Sequence, residues 1–302
     1  MKNILVIGSM STDFIVKTNT KPNQGETVFG ENFSTGFGGK GANQAIAACR
    51  LGADVSMMGH VGDDLFGEEI IENLIQNGVS TSYVEPVTHV SSGSAHITLF
   101  NNDNSIIVIP GANEAFDLAQ KEKWTQIVEG FDLVILQNEI PQSVNETIID
   151  LCWSKRIPVI YNPAPARTVN TSIIDKVKYI TPNEHEFDIL FPGKKRSEML
   201  ELYSNKLIIT LGSKGAVIHN GDKEVIIPAI QKIPVDTTGA GDTFNGALAV
   251  ALMNDICIEK AISFANLAAS FSVMGYGAQG GMPTLKEMME SELYEEAWDF
   301  EQ

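Results

Sequence analysis

Short apolar runs alternate along this chain with stretches that carry apolar residues at helical spacing. The runs predict buried strands at residues 4–7, 55–58, 133–136, 158–161, 179–180 and 207–211. Helices are predicted between them, at residues 41–51, 67–77, 141–154 and 184–191. Because this alternation builds right-handed βαβ units, we predict an α/β fold with a parallel sheet covered on both faces. Ligands of such sheets bind at the carboxyl ends of the strands.

Two segments interrupt the alternation and predict a second, smaller sheet. Residues 14–33 and 94–109 have the composition of extended chain, and the second segment contains an Asn-Asn-Asp-Asn turn at 101–104. A polar turn between two apolar runs is typical of a β-hairpin. We expect the two segments to project from the main sheet as a lid or an interface.

Charge and composition limit the class of partner. The 302-residue chain is 43% hydrophobic and 20% charged, which is enough to bury a substantial core. Its 38 acidic and 21 basic residues give a formal net charge of −17, so nucleic acids and anionic membranes are not expected partners. The acidic tail, residues 292–302, is predicted to form a solvated helix.

Targeting and metal signals are absent from the sequence. The three cysteines lie far apart without a C-x-x-C pair, and the five histidines lack the spacing of metal ligands. This pattern favours small buried thiols in a reducing compartment. The first residues are too short an apolar run for a signal peptide, and the apolar stretch 261–278 predicts a buried helix and turn. We therefore expect a cytoplasmic protein.

The motif Asp-Thr-Thr-Gly-Ala-Gly-Asp-Thr-Phe, residues 236–244, combines a tight turn with a helix start. Gly239, Ala240 and Gly241 allow the turn, and unpaired amides at the following helix N-terminus would form an anion site. Asp242 stands at the edge of that site. Its carboxylate is either a cap or first-turn residue of the helix, or a base that deprotonates an attacking hydroxyl.

A second glycine loop, residues 36–41, matches the pattern G-x-G-x-x-G. A dinucleotide fingerprint would follow the first strand directly, but that strand ends near Gly8, which argues against an NAD-dependent oxidoreductase. P-loop and protein-kinase motifs are missing as well. Lys40 and Asn43 offer a cation and an amide beside this loop, a pair suited to a polyhydroxy ligand. A plain helix-start loop explains the same residues.

Three further loops follow predicted strands. In the run 181–184, Thr181 as N-cap and Glu184 as its capping-box partner explain a helix start. Alternatively, Asn183 and Glu186 meet nucleotide phosphates through Mg²⁺ and its waters. The turn 210–215 is either a β-turn or a wall of a nucleotide pocket, and the proline-stiffened loop 162–167 suits structure or site. Glu139 is a lone acid at the end of a strand.

Taken in order, these motifs resemble the PfkB family of sugar and nucleoside kinases. Residues 37–45 and 236–244 are similar to its two signatures, and the loops 162–167, 181–184 and 210–215 to its intermediate motifs. The resemblance extends from Gly8 to Gln279. It implies a three-layer, ribokinase-like α/β sandwich with a mostly parallel central sheet. It also implies a single kinase domain over 1–302, with a small β-sheet lid formed by about 14–36 and 94–110.

The resemblance implies ATP-dependent phosphorylation of the primary hydroxyl of a furanose, D-ribose in the first place. Asp242 would be the general base, and the amides of residues 239–241 would stabilise the charge on the γ-phosphoryl group. The implied sugar contacts are Ser11, Asp13, Gly39, Lys40, Asn43, Glu139 and Asp242. The implied contacts of ATP and Mg²⁺ are Asn183, Glu186, Thr210, Gly212, Ser213, Gly215, Gly241 and Asn266.

The family resemblance also implies a K⁺ site and a dimer. The K⁺ ligands would be Asp236, Thr238, Ser272, Gly275, Gly277 and Gly281, largely through backbone carbonyls. K⁺ there would hold the loop of the anion site without touching the substrate. The lid would pair two subunits as a homodimer.

One position departs from the pattern of the family. Members that act on ribose usually have Asn two residues before the first sugar-binding Asp, where this chain has Ser11. Serine offers one hydroxyl in place of a carbonyl and an amide, so a sugar contact changes. Kinases of 2-deoxyribose, of another sugar such as fructose, or of a nucleoside therefore stay open. A non-catalytic sugar- or nucleotide-binding regulator is a further alternative, but it predicts loss of the base or the anion site.

Overall fold

Strands and helices alternate through most of the chain, which the computed structural model describes for residues 2–101 and 103–298. The strands are β1 (Asn3–Ile7), β2 (Ser11–Lys17), β3 (Asn32–Gly38), β4 (Asp54–Gly62), β5 (Ser80–Val87), β6 (Gly93–Phe100), β7 (Asp103–Ile109), β8 (Leu133–Leu136), β9 (Val159–Tyr161), β10 (Tyr179–Ile180), β11 (Ile208–Thr210), β12 (Ala216–His219) and β13 (Glu224–Ile227). The helices are α1 (Lys40–Arg50), α2 (Leu65–Gln76), α3 (Lys121–Val128), α4 (Gln142–Lys155), α5 (Ser172–Lys176), α6 (Glu184–Leu190), α7 (Arg196–Leu202), α8 (Ala240–Met253), α9 (Ile258–Ser272), α10 (Gly277–Gly280) and α11 (Leu285–Met289).

The central sheet has the strand order β10-β9-β8-β1-β4-β5, and each neighbouring pair is parallel. Successive side chains of β1 point to opposite faces. Ile4 and Val6 pack in one hydrophobic core with α1, α8 and α9, whereas Leu5 and Ile7 pack in a second core with α3 and α4. Helices therefore cover both faces of the sheet, and the predicted three-layer α/β fold is confirmed.

An antiparallel sheet, β11-β12-β13, continues the central sheet beyond β10. Two parallel bridges join them, one between Ile180 and Leu207 and one between Asn183 and Thr210. The sheet is thus mostly parallel with an antiparallel edge. This extension carries the turn 210–215 to the same end of the sheet as the loops after β9 and β10.

The two extended segments pair with each other in a sheet of order β3-β2-β6-β7. The strands start earlier than predicted, at Ser11 and Gly93, and residues 18–31 lie in turns and irregular chain between β2 and β3. Asn102 of the predicted turn lies outside the described residues. Every residue of β7 is exposed, and β7 is an edge strand that pairs only with β6 among the residues the structure describes.

The acidic tail differs from its prediction as a solvated helix. Its described part contains only a 3₁₀ turn at Glu296–Trp298, and residues 299–302 lie outside the described chain. Trp298 is buried against the ring of Phe264, and its Nε1 donates to the carbonyl of Lys260 at 3.1 Å. A buried indole with a hydrogen-bonded N–H anchors the tail to α9.

Two predictions about apolar and thiol groups have mixed outcomes. The apolar stretch 261–278 forms most of the buried helix α9 and the turn after it, as predicted. Cys152 is buried, but Cys257 is exposed at the start of α9, so the expectation of buried thiols is wrong there. Within residues 2–101 and 103–298, no helix combines the length and apolarity that a membrane crossing requires.

Candidate active site

Seven of the predicted site residues, from both glycine loops, from the segment after β10 and from the end of β11, line one cavity at the carboxyl end of the central sheet. A cavity of about 240 Å³, the smaller cavity, lies where the loops after β9 and β10 face the first turns of α1 and α8. Its walls are Lys40, Asn162, Ala164, Thr181, Asn183, Glu186, Thr210, Thr237, Gly239, Gly241, Asp242 and Asn245. Residues from five separate parts of the sequence therefore surround one space.

Two glycines start the helices that point at this cavity. Gly39 precedes α1 with φ +87° and Gly239 precedes α8 with φ +79°, a region that side chains other than glycine rarely adopt. A Cβ on Gly239 would also clash with the carbonyl oxygen of Ala278. The first-turn amides of α8 lack acceptors within the helix, although Ala240 N–H donates to the carbonyl of Thr237 at 3.3 Å.

Asp242 is buried, and its carboxylate is held by side-chain amides. Asn43 Nδ2 donates to Oδ2 and Gln44 Nε2 donates to Oδ1, both at 2.9 Å. Within the described chain no side chain caps the start of α8, so Asp242 is not a cap, but it does lie in the first turn of the helix, as the structural alternative allowed. Sequence reasoning missed Gln44, although it lies inside the first glycine-loop signature and directly follows Asn43.

Lys40 supplies a cation at the edge of a strongly acidic cleft. The charge of Asp242 raises the pKa of Lys40 above its usual value, against the opposing effect of burial, and Glu139 and Glu186 act in the same direction as Asp242. The ammonium group therefore stays charged among these carboxylates. This is the local positive charge that an anionic ligand requires in a chain of net negative charge.

Asp13 and Glu139 form a second acidic group beside Lys40. Glu139 Oε2 accepts hydrogen bonds from Ser9 Oγ and from the backbone N–H of Lys40, the latter at 2.9 Å. Burial, together with the charge of Glu139, raises the pKa of Asp13 to about 6, while a hydrogen bond from Ser11 opposes the shift. Ser11 thus acts on the carboxylate of Asp13.

The capping box of α6 lies two residues later than predicted. Asn183 Oδ1 accepts from Glu186 N–H, and Glu186 Oε2 accepts from Asn183 N–H, both at 2.8 Å. The chain is still extended at Thr181, whose N–H continues the ladder to Tyr161, so the predicted box of Thr181 and Glu184 is wrong. Each of the two proposed nucleotide residues therefore keeps the other in place.

A larger cavity, of about 400 Å³, opens beside the smaller one. The two share Asn183, Thr210, Thr237 and Gly241 as walls. The other walls of the larger cavity are Gly212, Ser213, Gly215, Ala229, Ile230, Gln231, Lys232, Pro234, Ala240, Phe244, Asn266, Ala269, Ser270 and Val273. Sequence reasoning missed the segment 229–234, which carries no motif and follows β13 as irregular chain.

The residues of the implied K⁺ site lie in two loops that are tied together. Asp236 Oδ1 accepts from Thr238 N–H at 2.9 Å and from Thr238 Oγ1 at 2.7 Å, and Oδ2 accepts from Gly277 N–H at 2.9 Å. Although burial acts in the opposite direction, these hydrogen bonds lower the pKa of Asp236. The negative carboxylate thus joins the motif of α8 to the start of α10.

The remaining residues of that group approach each other through the backbone. A Cβ on Gly281 would clash with the carbonyl oxygen of Ser272, and a Cβ on Gly275 would clash with Gly281. The backbone segments therefore approach each other so closely that residues 275 and 281 have no room for a side chain. Among the described residues no group of three or more histidine, cysteine or carboxylate side chains could hold a metal ion.

Comparisons with known proteins identify similar chains. The sequence model described as pfkB family carbohydrate kinase matches residues 1–285. The ribokinase of Bacillus subtilis (strain 168) is 53% identical over 290 residues, covering 96% of this chain and 99% of that protein. A deoxyribokinase of Salmonella typhi is 38% identical over 300 residues, covering 95% and 98%. The structure of Arabidopsis thaliana ribokinase complexed with ribose and ATP has a TM-score of 0.88 at 31% identity, covering 96% and 98%.

Proposed function

The chain belongs to the pfkB family of carbohydrate kinases, and we propose that it transfers the γ-phosphoryl group of ATP to the O5 hydroxyl of D-ribose. The products are ribose 5-phosphate and ADP. The observation that carries this proposal is the buried, doubly hydrogen-bonded carboxylate of Asp242 in the smaller cavity, next in sequence to Gly241, which is a wall of both cavities. A hydroxyl and a phosphoryl group can approach that point from opposite sides.

Asp242 is the proposed general base. The amides of Asn43 and Gln44 fix the direction of its carboxylate, and further lone pairs stay available to the proton of the sugar hydroxyl. The N-terminus of α8, at residues 239–241, supplies amide dipoles for the charge that builds on the transferred group. Phosphoryl transfer requires alignment and charge stabilisation above all, which these two elements provide.

The sugar side of the cleft consists of Ser11, Asp13, Gly39, Lys40, Asn43, Glu139 and Asp242. Carboxylates and amides of this kind hold a polyhydroxy ligand because each hydroxyl can donate one hydrogen bond and accept others. Ser11 influences this side through the carboxylate of Asp13. The identity of 53% to a ribokinase against 38% to a deoxyribokinase favours ribose, and 2-deoxyribose is the second candidate.

The nucleotide side consists of the walls of the larger cavity together with Glu186. Its apolar residues Ile230, Phe244 and Val273 suit a flat base, and the glycine turn 212–215 allows close approach of phosphates. Asn183 and Glu186 are the proposed contacts of Mg²⁺ and its waters, and their carboxylate and amide oxygens are the donors that this ion prefers. When bound, Mg²⁺ neutralises part of the phosphate charge.

The K⁺ site is proposed at the two loops joined by Asp236. The close approach of the backbone at residues 272, 275 and 281, where the carbonyl oxygen of Ser272 lies against Gly281, supports it, because such cations are bound mainly by oxygen atoms. In this position the cation would stiffen the turn before α8. We propose a cytoplasmic location, where ATP is available and exposed thiols such as Cys257 stay reduced.

A homodimer through the lid is also part of the proposal. The lid sheet exposes Phe33, Ile106, Ile107 and Val108, each at least half exposed, and its edge strand β7 has no partner on one side within the described chain. Apolar side chains exposed on the edge strands of a sheet are typical of an interface. Ile107→Glu should convert a dimer to a monomer in analytical ultracentrifugation, and a wild-type protein that is monomeric at micromolar concentration contradicts the dimer.

The test of the main proposal is ADP release from ATP and Mg²⁺ in K⁺ buffer with ribose, 2-deoxyribose, fructose or adenosine as acceptor. A preference for ribose, with ³¹P NMR of the product identifying the 5-phosphate, supports the proposal. A preference for 2-deoxyribose supports the proposed mechanism but identifies the second candidate as the substrate. A folded protein that binds ATP but turns over none of the four acceptors contradicts the proposed reaction.

A further inference from the structure

A continuous chain of side-chain amides connects the proposed base to an arginine of α1. The amides are Asn43, Gln279, Asn73 and Asn77, and the arginine is Arg50. They come from α1, from α2 and the residue after it, and from α10. Of this amide chain and its two ends, only Asp242 lines the smaller cavity. Arg50, Asn73 and Gln279 line another cavity, of about 220 Å³, to which Asp13 also contributes.

Gln279 is the link next to Asn43. Its Nε2 donates to Asn43 Oδ1 at 2.9 Å, and Asn43 Nδ2 in turn donates to Asp242 Oδ2 at 2.9 Å. All three residues are at least 90% buried. Within the described chain Gln279 has no hydrogen bond to the carboxylate itself, and the hydrogen-bonded connection between them runs through Asn43.

Hydrogen bonds from the part of the amide chain nearer to Arg50 also hold Gln279. Asn73 Nδ2 donates to Gln279 Oε1 at 3.0 Å, and Asn77 Nδ2 donates to Asn73 Oδ1 at 3.3 Å and to its carbonyl at 2.8 Å. Arg50 Nε donates to Asn77 Oδ1 at 2.9 Å. Both polar atoms of the Gln279 amide therefore have partners.

The groups at the two ends of the amide chain, Arg50 and Asp242, determine the direction in which its hydrogen bonds are donated. A guanidinium group can only donate and an ionised carboxylate can only accept, whereas an amide does both. Every amide between Arg50 and Asp242 must therefore point its NH₂ group towards Asp242. Reversing one of them would place two acceptors or two donors against each other, which is unfavourable in a buried site.

The backbone of α10 belongs to the same assembly. Arg50 Nη1 donates to the carbonyl of Gln279 at 2.7 Å and to that of Met282 at 3.0 Å. The N–H of Gly277, at the start of the same short helix, donates to Asp236. The loop that carries the proposed K⁺ site thus reaches the proposed base through one side chain, that of Gln279.

We propose that Gln279 is a positioning residue for phosphoryl transfer, which sets the orientation of the Asn43 amide and thereby keeps a donor on the carboxylate of Asp242. The inference rests on the proposed function of Asp242. It differs from a purely structural role, in which the amide chain stabilises the fold and leaves the base unaffected. The two roles predict different titration of the Asp242 carboxyl group when the direction of hydrogen bonding in the amide chain is reversed.

Gln279→Glu reverses the chain at one position with little change in shape. A carboxylate at residue 279 places an acceptor against Asn43 Oδ1, so the Asn43 amide turns and its oxygen faces Asp242. The charged groups facing Asp242 from the neighbouring helices, Lys40 of α1 and Glu186 of α6, are not altered. The ionised base loses a donor and meets an acceptor, so it binds its proton up to a higher pH.

Two more variants separate orientation from charge and from packing. Gln279→Met removes the donor without adding charge, and we expect a smaller effect in the same direction. Gln76→Glu is the matched control, because Gln76 is exposed on α2 beside the amide chain and bonds only to Glu72 among the described contacts. It adds the same charge and leaves the four amides in place.

The experiment has two readouts for the wild type and the three variants. The first is the titration midpoint of the Asp242 carboxyl carbon, followed by ¹³C NMR in the substrate-free protein. The second is the pH dependence of kcat at saturating sugar and ATP. For Gln279→Glu we expect both the midpoint and the acidic limb to rise by about one pH unit, and kcat to fall about tenfold. For Gln76→Glu we expect wild-type behaviour.

The outcomes separate this inference from the proposed function. A midpoint that stays at the wild-type value in folded Gln279→Glu and Gln279→Met overturns the positioning role, whatever the turnover. If Gln279→Glu does not fold, the Gln279→Met titration decides in the same way. A wild type that turns over no sugar contradicts the proposed reaction, while the titration still tests the link between Gln279 and Asp242.

Discussion

The proposed sugar side and the proposed nucleotide side of the cleft present their polar groups differently. On the sugar side they are buried or half-buried charged side chains, Asp13, Lys40, Glu139 and Asp242, and each of them interacts with a neighbouring charged or amide group. On the nucleotide side the walls are mostly glycine, small polar and apolar residues. The ligand contacts of one half of the cleft therefore depend on individual side chains. Those of the other half depend mainly on the course of the backbone.

This difference has an energetic reason. A charge removed from water requires partners, so a change of one charged group leaves its neighbours uncompensated. A cavity wall of apolar and small residues spreads its contribution over many weak contacts. Single substitutions should therefore be severe on the sugar side and mild on the nucleotide side, except where the backbone itself requires glycine.

The largest effect is expected for Asp242→Asn. The amide cannot accept the proton of the hydroxyl, so kcat should fall by about 10²-fold or more while sugar and ATP still bind. Steady-state kinetics and isothermal titration calorimetry measure the two quantities. Asp222→Asn, in an exposed turn, is the control and should keep wild-type turnover. Turnover of Asp242→Asn within threefold of the wild type contradicts the assignment of the base.

Gly239→Ala should have the next largest effect and is the exception on the backbone side. Residue 239 has φ +79°, and the added Cβ would clash with Ala278, so the turn before α8 must move. We expect kcat to fall about 30-fold, because removal of one oxyanion donor costs about 10²-fold and the turn can relax in part. Gly280→Ala, whose Cβ meets no atom within 4 Å, should stay within twofold of the wild type. Equal rates for both variants would show that the geometry of this turn is irrelevant to transfer.

The pH dependence of ribose binding tests the charge of Asp13. Burial and the neighbouring Glu139 raise its pKa to about 6, so the carboxylate is ionised above that pH and protonated below it. An ionised carboxylate accepts hydrogen bonds from two hydroxyls, whereas the protonated form loses part of this capacity. We expect the KM for ribose to rise about tenfold between pH 7 and pH 5, and the KM for ATP to change much less.

Asp13→Asn is the matched variant for this measurement. It should bind ribose more weakly at pH 7 and should lose the pH dependence, since no carboxyl group titrates at this position. A KM for ribose that is the same at pH 5 and pH 7 in the wild type would show that Asp13 does not bind the sugar as a carboxylate.

The sequence predicted five of the six strands of the central sheet because their side chains are largely buried on both faces, as in the run Leu133–Leu136. It missed β5, an edge strand whose residues are mostly half-buried or exposed and therefore form no apolar run. The sequence also predicted that Asp242, Lys40 and Asn183 lie at the same end of the sheet, because all three follow strand ends or start helices. The capping box of Asn183 and Glu186 was misplaced because the extended chain runs past Thr181, which only pairing with the next strand reveals.

The amide network could not be predicted at all. Its bonds join residues 43, 73, 77 and 279, which share no periodicity and lie in three different helices or at their ends. Amide side chains are found on protein surfaces as often as in such networks, so their type alone carries little information. The packing of α1, α2 and α10 against each other creates the network.

The smallest effect is expected for Asn266→Ala, on the nucleotide side. Asn266 Nδ2 donates to the carbonyls of Ile227 and Pro228 at 3.0 and 3.2 Å, and so holds the segment that leads into one wall of the larger cavity. Loss of these bonds costs about 1 kcal/mol, which corresponds to about a fivefold rise in the KM for ATP. The KM for ribose and kcat should not change, because the sugar side has its own supports. If Asn266→Ala instead lowers kcat as strongly as Gly239→Ala, the two sides of the cleft are coupled. The distinction between a half that depends on individual side chains and a half that depends on the backbone is then wrong.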